Sequence, residues 1–177
     1  MMNSKIFLSP HNDDEILFGA YTIMREKPLV IVCTDSYIQG DNLLVRRNET
    51  RNAMDLLGVE VFFLGIPDIL DSNSFKAVLI PKLNRLGNVE TVYAPNTDCS
   101  NEQHKITGEV AKELFDSVVF YDTYKDSWGT TGKGKIVTPT NEEKALKKKA
   151  MSLYKSQIER IESRRHFSEV WNEYTSR

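Results

Sequence analysis

The sequence predicts an α/β fold carrying a mostly parallel sheet. Short runs rich in Val, Ile, Leu, Phe and Tyr recur along the chain, and segments with helical spacing lie between them. Glycines fall where two of the helical segments end. Strand and helix alternating in this way favour parallel pairing with both faces of the sheet covered.

Taken in order, strands are expected at residues 5–8, 29–33, 59–64, 91–94 and 118–121. The first helix is read over 15–25, directly after a pair of aspartates. A second, over 44–57, meets Gly58 where a helix C-terminal glycine belongs. The third, over 73–86, runs to Gly87, and Pro81 inside it should kink or break it. Ile106, Val110, Ala111 and Leu114 share one face of a fourth helix opening near Gln103. The stretch 128–135 holds three glycines and two threonines and reads as a flexible loop, with Ile136-Val137 as a short edge strand. Thr140 and Glu143 form a capping-box pattern for a last helix over 141–163. Its stripe of Leu146, Ala150, Leu153, Tyr154, Gln157, Ile158 and Ile161 should pack on the sheet.

A length of 177 residues suits one domain spanning 1–177 with a full core. The formal charge of −2 gives no electrostatic case for a nucleic-acid partner. The basic run Lys147-Lys148-Lys149 reads as a solvated helix face, since Glu142 and Glu143 precede it. Cys33 ends an apolar strand and reads as core, whereas Cys99 lies in a polar loop open to reaction, with no CxxC or neighbouring His to support that; two cysteines make no disulfide framework. No signal-like or membrane-spanning stretch is evident, so a cytoplasmic protein is the expectation, and work at a membrane surface stays open.

The chemistry is concentrated in Ser9-Pro10-His11-Asn12-Asp13-Asp14-Glu15. An imidazole and three carboxylates follow the first strand, and like charge disfavours leaving adjacent carboxylates bare. A divalent cation would relieve that repulsion, leaving one carboxylate as a base. Ligands in parallel sheets collect beyond the strands' carboxyl ends, so the loop 95–104 after the fourth strand can meet the first motif over one pocket. His104 lies there and completes an N,N,O set with His11 and Asp14. The bland alternatives are a helix-capping Asp13 or Asp14 and an ordinary exposed His104. His166, near Phe167 and Trp171, reads as structural.

Pro10-His11-Asn12-Asp13-Asp14-Glu15 resembles the Pro-His-Pro-Asp-Asp-Glu signature of the LmbE/PIG-L family of zinc-dependent de-N-acetylases. The resemblance extends to Arg46-x-x-Glu49 with Ala53 and Leu57-Gly58-Val59, to Asp68, to Asn101-Glu102-Gln103-His104 against His-Pro-Asp-His, and to Tyr154-x-Ser156-Gln157 against His-x-Ser-Gln. It covers roughly 4–160. It implies a Rossmann-like three-layer α/β/α fold, the active site at the strand C-termini, and an enzyme that hydrolyses the N-acetyl group of an amino sugar or sugar conjugate. His11, Asp14 and His104 match zinc ligands and Asp13 the general acid/base. Arg46 and Asp68 match sugar-contacting positions, with Arg47 or Arg51 as register alternatives to Arg46. Iron(II) or cobalt would also suit an N,N,O site.

Three departures stand out. Asn12 replaces a proline, changing loop stiffness and supplying a backbone donor. Asn101 replaces a histidine that stabilises the oxyanion in relatives; an amide can donate there but carries no charge. Gln103 replaces an Asp and removes an acceptor behind the ligands. Tyr37 offers a face for sugar stacking, with Asp35 or Asp41 for hydroxyls. Tyr124, Lys125 and Trp128 form either a substrate lid or an edge hairpin. The second reading is a carbohydrate- or nucleotide-sugar-binding member of the same fold with altered catalysis. A nucleotide-binding domain is weaker, because no glycine-rich phosphate motif follows the first strand.

Overall fold

The computed structural model describes residues 4–35, 42–126, 129–130, 134–157 and 173–176. Strands β1 (Lys5–Ser9), β2 (Leu29–Asp35), β3 (Val61–Pro67), β4 (Thr91–Pro95) and β5 (Val118–Tyr121) alternate with helices α1 (Asp14–Glu26), α2 (Leu43–Leu57), α3 (Ser72–Leu83) and α4 (Glu102–Leu114). Beyond them lie β6 (Tyr124–Asp126), β7 (Gly129–Thr130), β8 (Lys135–Val137), α5 (Asn141–Met151) and β9 (Glu173–Ser176).

One seven-stranded sheet has the order β3-β2-β1-β4-β5-β9-β8. The first five strands are parallel, while β9 pairs antiparallel with both β5 and β8. Helices α1, α2 and α5 cover one face through Ile16, Phe18, Met54 and Ala150, joined by Tyr154 from the turn after α5. On the other face α3 and α4 contribute Phe75, Leu79, Ile106 and Val110. The alternating side chains of β1 supply both cores, Phe7 to the first and Ile6 and Leu8 to the second. A strand buried on both faces explains the unbroken apolar run at its centre.

Two glycines set how closely helices ride on the central strands. A Cβ on Gly19 of α1 would fall 2.1 Å from Phe7 Cζ, and one on Gly108 of α4 would fall 2.2 Å from the Pro95 carbonyl oxygen. Both helices therefore press against the strand that precedes them. Gly58, at φ 67°, ends α2 as its position predicted, its N–H returning to Met54 and Asp55 carbonyls. Pro81 does not break α3, which continues to Leu83 and tightens into a 3₁₀ turn at Asn84–Leu86 before Gly87.

Several expectations are corrected. The last helix stops at Met151 rather than 163, because the chain turns so that Ser156 offers its N–H to the Glu49 carboxylate at 2.8 Å. Ile158 and Ile161 lie outside the described residues. Strand β3 starts two residues late and runs on to Pro67, past Gly65 at φ 68°. The glycine-rich stretch after 128 is not all loop, since Gly129–Thr130 pairs antiparallel with β6. β9 was not anticipated.

Lys147 is not solvated. It is fully buried, with Nζ 2.6 Å from Glu173 of β9 and 2.9 Å from the Leu17 carbonyl. Glu173 also accepts the Tyr21 N–H at 3.0 Å, so this ion pair fastens β9 and α5 to the middle of α1. Burial holds the Lys147 ammonium below its ordinary range and pushes the Glu173 carboxyl up. Cys99 is buried as well, its thiol donating to the Asn101 carbonyl, and burial raises its pKa, which disfavours the reactive thiolate.

Gly108→Ala should lower the unfolding free energy by about 1–3 kcal/mol, because β4 backbone cannot yield as a side chain would. The measurement is a urea melt with an earlier midpoint and unchanged slope.

Candidate metal centre and active site

The site sits where the strand order reverses, between β1 and β4. β1 and β4 are neighbours, yet α1 leaves toward one face and α4 toward the other, which opens a crevice beyond their carboxyl ends. His11–Asp14 enters it from β1, and the loop before α4 enters from β4. Asn101 is the N-cap of α4, its Oδ1 accepting the N–H groups of Gln103 (3.0 Å) and His104 (3.4 Å). That cap fixes the turn presenting both side chains and leaves Nδ2 as the amide's remaining donor.

His11 Nδ1, Asp14 Oδ2 and His104 Nε2 converge. The separations are 3.0 Å from His11 to Asp14, 2.9 Å from His104 to Asp14 and 3.1 Å between the two imidazole nitrogens. Among the described residues these three form the one His/Cys/Asp/Glu group suited to a cation. Ligand atoms about 2.05 Å from tetrahedral zinc stand about 3.3 Å apart, so the triangle needs only slight expansion.

The hydrogen bonds set the tautomer. Gln103 Nε2 donates to the Asp68 carbonyl at 2.7 Å, which turns Gln103 Oε1 toward His11 Nε2 as a short acceptor. His11 then carries a proton on Nε2, so that its neutral form would present the Nδ1 lone pair to a cation held beside Asp14 and His104. An electron-rich cluster of that kind fits a divalent cation. Gln103 thus keeps an acceptor behind the ligands, correcting the expectation that replacing Asp would remove one.

The three consecutive carboxylates meet different fates. Asp14 is buried and also accepts the His11 N–H at 3.0 Å; burial would raise its pKa, but His104 and His11 hold it well below the ordinary range. The reciprocal effect raises His11, where burial opposes charging and Asp14 outweighs it. Asp13 occupies the N-cap position of α1 but makes no side-chain cap bond, so the capping alternative fails there. Its Oδ2 lies 3.4 Å from Arg46, and burial together with Asp14 pushes its pKa up against the pull of that guanidinium. Its φ of 109° is a strained backbone state for a non-glycine, worth of order 1–3 kcal/mol. Glu15 is fully buried and takes the Asp13 N–H, Ser9 and Tyr154 hydroxyls.

Arg46 is buried, with its guanidinium 2.6 Å from the Asn12 carbonyl, so it braces the motif loop besides facing Asp13. Asn12 does more than loosen the loop: its amide donates to Thr50 of α2 at 2.9 Å. The Asp35 carboxylate is engaged by Arg47 rather than open for hydroxyls. Asp68 follows β3, partly buried, and its N–H donates to the Asp35 carbonyl. Tyr37, Asp41, Trp128 and His166 lie outside the described residues. Lys125 and Tyr124 belong to the β6–β7 hairpin.

Sequence reasoning named Glu15, Glu49, Tyr154 and Ser156 within motifs but did not pair Tyr154 with Glu15 or Ser156 with Glu49. The available signal was a carboxylate set inside the apolar stretch of α1.

Residues 6–115 match the PIG-L family, GlcNAc-PI de-N-acetylase. No curated protein matches the chain. Several solved structures share its fold, three of them as follows. The A40926 pseudoaglycone deacetylase Dbv21 superposes with a TM-score of 0.72 at 17% identity, covering 92% of this chain and 86% of that one. A deacetylase–teicoplanin complex from teicoplanin biosynthesis gives 0.69 at 14%, covering 87% of each. A zinc-inhibited form of the teicoplanin deacetylase Orf2 gives 0.67 at 14%, covering 86% of this chain and 84% of that one.

Removing a ligand and removing its support should differ in degree. His104→Ala should abolish zinc uptake in equilibrium dialysis, whereas Gln103→Ala should weaken it about 10–100-fold. Equal affinity in Gln103→Ala would show that His11 needs no orienting acceptor.

Proposed function

This chain belongs to the GlcNAc-PI de-N-acetylase (PIG-L) family, and on that ground and the site's geometry we propose a metal-dependent hydrolase removing the N-acetyl group of an amino sugar or sugar conjugate. The observation that carries the reading is the convergence of His11 Nδ1, Asp14 Oδ2 and His104 Nε2 beside Asp13. The donor set suits zinc, and equally iron(II) or cobalt. Bound there, the cation would supply Lewis acidity, acidifying a water and polarising the acetyl carbonyl.

The chain's own groups handle the proton. Asp13, left without a capping bond and held up by burial, accepts a proton from the attacking water. The water oxygen bonds to the acetyl carbon, and Asn101 Nδ2 donates to the carbonyl oxygen as negative charge develops there. Asp13 then returns the proton to the nitrogen as the C–N bond breaks, releasing acetate and the free amine. Arg46 keeps Asp13 in place through Asn12 and its own charge. Asp68, with Tyr37, is proposed to meet sugar hydroxyls and the ring face. The fold shared with an A40926 pseudoaglycone deacetylase and with a deacetylase bound to teicoplanin supports a small glycoconjugate as substrate. No helix among the described residues is long and apolar enough to cross a membrane.

A binding-only protein is favoured by one observation, that Asn101 serves as a helix cap where relatives carry a titratable histidine. Acetate release from N-acetylglucosamine conjugates, after stripping the protein and reloading it with zinc, iron(II) or cobalt, separates the two. The hydrolase releases acetate only when loaded, and Asp13→Asn should cut turnover by about 10²–10⁴ while retaining the cation. Sugar binding without acetate release from any loaded form would favour the binding protein. Asp13→Asn turning over at the unmodified rate would remove Asp13 as the base.

A further inference from the structure

Glu15 lies one residue beyond the ligand Asp14 and takes no part in the triangle of donor atoms. It is nevertheless fully buried, and its carboxylate gathers three groups. Oε2 lies 3.1 Å from the Asp13 nitrogen and 2.7 Å from Ser9 Oγ, and Oε1 receives the Tyr154 hydroxyl in a short hydrogen bond. Ser9 Oγ in turn stands 2.7 Å from the His11 carbonyl oxygen. No Lys or Arg is among these partners. A buried carboxylate held by hydroxyls and one peptide N–H is costly, and packing alone would be served better by an apolar side chain.

Asp13 supplies the reason for that cost. Its φ of 109° is one that a residue with a Cβ rarely adopts, and something must hold it there. On the carbonyl side it is held by α1, whose Ile16 and Leu17 N–H groups reach the Asp13 oxygen at 3.0 and 2.9 Å. On the amide side it is held by Glu15. We propose that Glu15 is a positioning residue for Asp13, gripping its peptide N–H and being gripped by Tyr154, so that the turn after α5 braces the group that moves the proton. The catalytic part of this inference rests on the proposed hydrolase reading; the structural part does not.

The test uses the full chain and two variants, Glu15→Gln and Tyr154→Phe. In a ¹⁵N-resolved spectrum the Asp13 amide proton, bonded to a carboxylate, should lie downfield and exchange slowly. In both variants it should move upfield and exchange faster. In the cation-loaded enzyme Glu15→Gln should lower kcat about 10–100-fold with KM and bound cation unchanged. The same substitution placed in Asp13→Asn should lower the residual rate no further, because the two residues act as one unit. An Asp13 amide that stays put in both variants overturns the proposal. So does an equal loss in the Asp13→Asn background, or a loss that tracks missing cation. If Glu15→Gln does not fold, Tyr154→Phe carries the same readouts. If the unmodified protein releases no acetate at all, the hydrolase reading has failed, and the amide resonance still decides the positioning role.

Discussion

Three consecutive carboxylates drawn largely out of water set the terms for this structure. Asp13, Asp14 and Glu15 follow one another at the mouth of the central crevice, and burial penalises each as an anion. They are tolerable together only because each has its own compensating surroundings. Asp14 faces two imidazoles and the position suited to a cation, Asp13 faces Arg46, and Glu15 is enclosed by hydroxyls and a peptide N–H. All three lie at the N-terminus of α1, Asp13 as N-cap and Asp14 and Glu15 in the first turn, where the helix dipole favours negative charge. Removing any one set of partners would leave an uncompensated anion among the others.

That arrangement requires parts of the chain far apart in sequence to arrive at one place. The parallel order places β1 beside β4, and the opposite departures of α1 and α4 leave room between them. Gly19 and Gly108 let those two helices lie close on their strands, so their first turns reach the same crevice. His104 arrives fully buried, 93 residues from His11, with its turn secured by the Asn101 cap. Helix α2 contributes from the flank, bringing Arg46 and Thr50 against the motif loop.

The last third of the chain closes the arrangement from behind. The turn after α5 sends the Tyr154 hydroxyl to Glu15 and the Ser156 N–H and hydroxyl to Glu49, so two buried carboxylates of α1 and α2 are met by one short segment. Below it, Lys147 and Glu173 tie α5 and β9 to α1. Such a pair adds little to stability on balance, since desolvation offsets the attraction, but its geometry admits few alternatives. The first four helices and five strands build the crevice, and the C-terminal elements hold its floor.

What could be read from residues alone was whatever depends on local pattern. The double-sided apolar run of β1, the glycine ending α2, the capping box before α5 and the order of strands and helices each follow from side chains near one another in sequence. The convergence of three candidate ligand side chains was legible too, because His11 and Asp14 sit three residues apart and His104 belongs to the matching strand end. The early stop of α5, the antiparallel β9 and the burial of Lys147 were not legible, since each is decided by a partner 26 to 139 residues away. The same holds for Gln103 orienting His11 and for Glu15 gripping Asp13. Periodicity reports which face of an element avoids water, but it carries no information about which distant donor meets a buried acceptor; that pairing exists only once the chain has closed on itself.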